Sequence, residues 1–177
     1  MLKKIFSILG LAIFLFIADA LLKAYIHYSV PVMNYASPIY PYGGIGVFKD
    51  WHGIEFSITH VINKGAAWGA FASLQQYLLY FRLVIIGGLL TYLFFVKNSS
   101  YSKLALTLIA TGAIGNVIDY FVYGHVVDMF YFVFWGYSYP VFNIADAAIF
   151  SGIFMLVTSS LFQKIKGKKK AAPVRDH

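Results

Sequence analysis

The stretch LALTLIATGAIGNVID, Leu104 to Asp119, is uncharged and largely apolar until its last residue, and Lys103 stands immediately before it. Three other stretches share this build: Ile5 to Ala18, Leu83 to Val96 and Ala147 to Gln163. Each reads as the core of a membrane-spanning helix. The rest of the chain agrees, since 60% of its 177 residues are hydrophobic, 19% aromatic and only 12% charged. So much apolar surface cannot be hidden inside one water-soluble core, so lipid must solvate it. The expected fold is an all-α integral membrane protein with four transmembrane helices and a small extracytoplasmic β/loop segment. No linker or internal repeat divides it, so 1–177 is taken as a single membrane domain. The helices are placed at about 5–25, 75–96, 104–122 and 142–163, with outer segments 26–74 and 123–141 and a basic tail 164–177.

Basic residues mark one end of each span. Lys3 and Lys4 precede the first, Lys97 and Lys103 lie between the second and third, and Lys164, Lys166, Lys168, Lys169 and Lys170 follow the fourth. The positive-inside rule then puts both termini and the 97–103 loop in the cytoplasm. This placement also accounts for the excess of 14 Lys+Arg over 7 Asp+Glu, so no nucleic-acid partner is expected. Absence of cysteine excludes disulfides, thiolate metal sites and a cysteine nucleophile. Lys3 and Lys4, an apolar run and Ala18-Asp19-Ala20 together imitate a secretory signal. Retention is expected, because Asp19 is unfavourable within a cleavage site and pairs at i,i+4 with Lys23.

The opposite ends of the four spans meet charges: Asp19, Arg82, Asp119 and Asp146. The first two uncharged runs are 14 residues long. As helix they cover roughly 21 Å of a hydrocarbon core about 30 Å thick, so the charges sit below the outer surface. Arg82 can snorkel outward, but the short aspartates cannot. Three carboxylates at one depth on three helices are costly unless they face each other, water or donors, which marks a functional cluster.

Outside, Gly53 to Ile62 is rich in β-branched and aromatic residues and suggests one or two strands on the membrane. Asn63-Lys64-Gly65-Ala66-Ala67-Trp68-Gly69 follows, small residues beside one interfacial Trp. Tyr123 to Pro140 is an aromatic belt without Lys or Arg, and it contains Asp128 between Val126-Val127 and Met129-Phe130. That apolar setting raises a carboxyl pKa.

His27, His52, His60, His125 and His177 show no i,i+4 pairing or H-E-x-x-H motif, so no metal is expected and no cofactor is implied. Lys23 with a serine such as Ser29 lacks any spacing signature. Paired carboxylates suit the chain better: held close they cannot both ionise, so one stays protonated while the other acts as base on water. Asp119, Asp128 and Asp146 are the available members. Asn116 and Asn143 each precede an Asp by three residues and share its helix face, so their amides can orient a carboxylate or hold a substrate carbonyl. A small transporter or proton-conducting protein using the intramembrane aspartates is the rival reading, and the uncharged inner halves of all four spans oppose it.

Five motifs in order resemble those of the lipoprotein (type II) signal peptidases: Asp19-x-x-x-Lys23; Asn63-x-Gly65-Ala66-Ala67-Trp68-Gly69; Gly112-Ala113-Ile114-Gly115-Asn116-x-x-Asp119; Val126-Val127-Asp128; and Phe142-Asn143-x-Ala145-Asp146. The resemblance implies a bacterial inner-membrane aspartic endopeptidase with Asp128 and Asp146 as its dyad. Asn63, Asn116, Asn143, Asp19, Lys23, Asp119, Gly65 and Trp68 would then support the fold or bind substrate. It also implies a diacylglyceryl-modified prolipoprotein substrate, cut before the lipidated cysteine at the extracytoplasmic face, by an enzyme that works as a monomer among membrane lipids. Two departures stand out: Tyr120 replaces the Arg usual after Asn116-x-x-Asp119, leaving Arg82 or Lys64 to compensate, and the stretch from Asn34 to Trp51 is longer than expected.

Overall fold

The computed structural model describes residues 2–34, 36–37, 40–65, 70–96 and 99–171. It contains four long helices, α1 (Leu2–Ser29), α2 (Gln75–Phe95), α3 (Ser100–Tyr123) and α4 (Ile144–Ala171). Between them lie the strands β1 (Ile45–Trp51), β2 (Ile54–Asn63), β3 (Val126–Phe134) and β4 (Tyr137–Ser138). All four helices are long and apolar enough to cross a membrane, at Lys3–Ser29, Ala72–Phe95, Ser100–Tyr123 and Ile144–Phe162. Their outer faces carry the large apolar side chains: Phe95 is 85% exposed while Lys23 is 0% exposed. A water-soluble protein would not leave so much hydrocarbon open while burying its lysine. Lipid is the solvent that fits.

α3 is the hub and packs against each of the other three helices, most extensively α4. Small residues allow that approach. A Cβ at Gly112 would run into the Ala145 backbone carbonyl, and one at Gly152 would lie 2.5 Å from the Ala105 carbonyl oxygen. Close backbone contact gives van der Waals attraction where the hydrophobic effect between lipid-solvated helices is absent. α2 lies on the other flank of α3, where Leu79 and Ile86 meet Val117 and Tyr120.

The strands form one antiparallel sheet in the order β1-β2-β3-β4. The sequence locates β2 within one residue at each end but not β1, and it treats the β3 segment only as an aromatic belt. Cross-strand pairing explains the difference: Phe130, Phe132 and Phe134 pair with Ile58, Phe56 and Ile54 of β2. Strand formation thus rests on a partner remote in sequence. Three helices also extend beyond the expected limits, α3 by starting at Ser100 and ending at Tyr123. α1 continues past Tyr25 to Ser29, and α4 runs through Lys164 to Ala171. The sheet rests on the end of α1 through a core of Ile26, Val30, Val127 and Met129, packed by Leu22 and Ile58.

Candidate active site

Four aspartates and three asparagines meet where α1, α3, α4, β2 and β3 converge. At the base lies Lys23, buried on α1. Its ammonium contacts Asp19 Oδ2 at 2.7 Å and Asp119 Oδ2 at 2.7 Å, and it donates to Asn116 Oδ1 at 2.9 Å. These three contacts surround the ammonium with acceptors, two of them charged. Asp19 also accepts from the Ala145 backbone N–H at 2.9 Å, which ties the first turn of α4 to α1.

Above this base the amides pass the contacts on. Asn116 donates from Nδ2 to Asp146 Oδ1 at 2.7 Å. Asn143 donates from Nδ2 to Asp128 Oδ1 at 2.7 Å and lies 3.2 Å from Asn116 Oδ1. Asn63 donates to Asp128 Oδ2 at 2.8 Å. The last contact follows from strand register, because Asn63 pairs with Val126 and Val61 with Asp128, so Asn63 and Asp128 stand diagonally on one face of the sheet. The i,i+3 reading of the asparagines therefore has a crossed outcome. Asn116 serves Asp146 across a helix interface, and Asp119 pairs with Lys23.

Asn143 and Asp146 also form a reciprocal cap at the start of α4. The Asp146 N–H donates to Asn143 Oδ1 at 2.8 Å, and the Asn143 N–H donates to Asp146 Oδ2 at 3.4 Å. This arrangement satisfies two otherwise unpaired backbone donors and fixes the Asp146 carboxylate at a helix N-terminus, where the dipole favours an anion. Asp128 and Asp146 are thus joined through a single residue, Asn143. Burial, followed by the negative charge of Asp146, pushes the Asp128 carboxyl up from its ordinary 3.8 to about 7.

A cavity of about 310 Å³ opens beside these groups, lined by Asn63, Gly65, Arg82, Asn116, Phe142 and Asp146 among others. Asp146 faces it, whereas Asp128 is only 2% exposed and reaches it through Asn63. A second cavity, about 260 Å³, meets the other side of Asp146 and runs along Ala147, Phe150 and Ser151. Arg82 is more than an anchor: its Nη2 donates to the Gly65 carbonyl at 2.8 Å. It supplies the cation at this cavity, while Tyr120 packs between α2 and α3. Gly65 accepts that bond and donates its own N–H to Asn63 Oδ1 at 2.9 Å. Trp68 lies outside the described residues.

The profile of the family described as signal peptidase (SPase) II matches residues 11–162. This chain belongs to the signal peptidase II family. A lipoprotein signal peptidase of Chlamydia pneumoniae is 43% identical over 122 residues, covering 68% of this chain and 73% of that protein. One from Clostridium tetani is 40% identical over 115 residues, covering 64% and 71%. A bacterial membrane enzyme solved by the in meso method at 2.3 Å resolution superposes with a TM-score of 0.73 at 26% identity, covering 96% of this chain and 94% of that one. The chain is therefore a signal peptidase enzyme of a multi-pass bacterial membrane type.

The sequence did not anticipate one feature of the neighbourhood. His27, His60 and His125, read separately as isolated histidines, converge at the C-terminal end of α1. Packing of α1 against β2 and the turn before β3 brings them together, and no local spacing could have signalled it.

Proposed function

We propose that this signal peptidase is an aspartic endopeptidase that removes signal peptides from diacylglyceryl-modified prolipoproteins, with Asp128 and Asp146 as its dyad. The observation that carries the reading is the Asn143 bridge, which donates to one carboxylate by its side chain and to the other by its backbone. Asp146 has donors on both oxygens and faces the cavity, which suits the base that takes a proton from water. Asp128, with its carboxyl near 7, is suited to give a proton to the scissile amide. For that step an Asp128 oxygen must be free to carry hydrogen, so the substrate displaces the Asn63 amide from Oδ2. Attack of water on the carbonyl and collapse of the tetrahedral intermediate then release the signal peptide and the new amino terminus.

The second cavity supports a lipidated substrate. It joins Asp146 to Phe150, which is 67% exposed on the flank of α4. An acyl chain lying there would anchor the scissile bond at the dyad from within the bilayer. Lys23, Asp19, Asp119, Asn116 and Asn63 act as positioning residues. The positive-inside pattern puts the dyad at the extracytoplasmic face. Cleavage of diacylglyceryl-modified and unmodified precursors by the purified protein tests the proposal. Strong preference for the modified form is expected, and equal rates would point to a general outer-face protease. Reporter fusions at Ser37 and Lys170 should fall on opposite sides of the membrane.

A further inference from the structure

We propose that His27, His60 and His125 form a divalent transition-metal site, of zinc type, that clamps the C-terminal end of α1 to the sheet. One ring nitrogen of each lies within 4.8 Å of those of the other two. His27 Nδ1, His60 Nε2 and His125 Nε2 are buried without a hydrogen-bond partner. His60 and His125 are 3% and 8% exposed, so water is a poor substitute for the missing partners. An orphaned buried nitrogen is costly, and three at one place form a ligand set in need of a cation.

The opposite sides of two of the rings are already fixed. His60 Nδ1 lies 2.9 Å from the Val30 carbonyl oxygen, and the His125 ring donates to the Tyr123 carbonyl. With those nitrogens protonated, Nε2 of each ring is left as a lone pair. Backbone carbonyls that fix the tautomer in this way are the usual support of metal-binding histidines.

Tetrahedral zinc with bonds of about 2.0–2.1 Å needs its nitrogens about 3.3 Å apart. Zinc binding therefore requires the rings to turn inward from separations of up to 4.8 Å. Three imidazoles leave a fourth position for solvent, and without thiolates or carboxylates the set favours zinc-class ions over calcium or magnesium. The consequence concerns the dyad's frame. His27 is one helical turn from Lys23, His60 three residues before Asn63, and His125 three residues before Asp128. A metal here would fix α1, β2 and β3 relative to one another.

Zinc uptake by the purified full-length protein, free of any histidine tag, tests the site. Equilibrium dialysis should give one zinc per chain, and X-ray absorption of the loaded wild type should show three imidazole nitrogens at about 2.0–2.1 Å. Zinc should also raise Tm. His60→Gln and His125→Gln should each weaken binding by at least about tenfold and abolish the Tm rise, while Asp128→Asn should bind zinc like the wild type. No uptake by the wild type, fewer than three imidazoles in its spectrum, or undiminished binding by both histidine variants would overturn the proposal. The wild-type spectrum decides the matter even if a variant fails to fold.

Discussion

Asn116 on α3 donates to Asp146 Oδ1 at 2.7 Å and accepts from Lys23 Nζ at 2.9 Å, so one amide joins the buried ammonium to the carboxylate that faces the cavity. Lys23 is the common counter-ion for Asp19 and Asp119. Lys23→Met would leave both carboxylates buried without their cation, at a cost of about 3–5 kcal/mol. Asn116→Ala should cost less, about 1–3 kcal/mol, because it removes hydrogen bonds and no charge. Thermal unfolding in detergent should rank Lys23→Met below Asn116→Ala. The reverse order would show that the ion cluster is not the brace inferred here.

The aspartates should separate by the property each variant loses. Asp128→Asn and Asp146→Asn keep the side-chain shape and remove the proton chemistry, so each should lower turnover by at least about 10²-fold while the protein still binds lipidated precursor. Asp119→Asn weakens the hold on Lys23 and should act mainly on stability or expression. Single-turnover cleavage combined with precursor binding distinguishes these outcomes. An active Asp128→Asn beside an inactive, well-folded Asp119→Asn would move the dyad's second member to Asp119.

The raised Asp128 carboxyl gives stability a definite slope with pH. Its folded value is about 7 against an ordinary 3.8, so between these limits the folded protein holds a proton that the unfolded chain has lost. Stability from this group is therefore fully present below about 3.8 and falls as pH rises to about 7, by at most about 1.4 kcal/mol per pH unit. Asp128→Asn lacks this titration, so its stability relative to wild type should improve from pH 5 to about pH 7 and level off above it. A constant difference over that range would contradict the assignment. If Asp128 is the proton donor, the alkaline limb of kcat/KM should also lie near pH 7.

The helices were legible because their signal is local: an uncharged run with lysine at one end needs no partner to be read. The motifs placed Asp19, Lys23, Asn63, Asn116, Asp128, Asn143 and Asp146, and all of them converge. Their wiring was not legible. Asn116 shares a helix face with Asp119 yet serves Asp146, because the close approach of α3 and α4 decides which carboxylate the amide reaches. Arg82 read as an interfacial anchor because nothing near it in sequence reveals the Gly65 carbonyl, 17 residues away. β3 was missed for the same reason that the histidine cluster was, since each depends on β2 across a long connection, whereas β1 joins β2 through the short turn at His52-Gly53 and was missed because its exposed, bulged run carries no clean alternation.

Helix spacing should be as critical to catalysis as the aspartates themselves. Gly112 faces α4 where an added Cβ would strike the Ala145 carbonyl and lie 2.8 Å from Ile149 Cγ1. The obstructing atom is backbone, so a rotamer change cannot relieve Gly112→Ala and the helices must move apart. Overpacking of this kind costs about 1–3 kcal/mol. The displaced turn carries Ala145, whose N–H holds Asp19, and Asp146, whose carboxylate meets Asn116. Gly112→Ala should therefore reduce kcat severalfold or more although residue 112 touches neither the cavity nor a carboxylate. Gly87→Ala on α2, where a Cβ meets nothing within 4 Å, is the matched control and should retain wild-type activity. Measuring kcat and Tm for both variants checks the point, and a Gly112→Ala enzyme with unchanged kcat would show that the dyad tolerates a shift of α4 against α3.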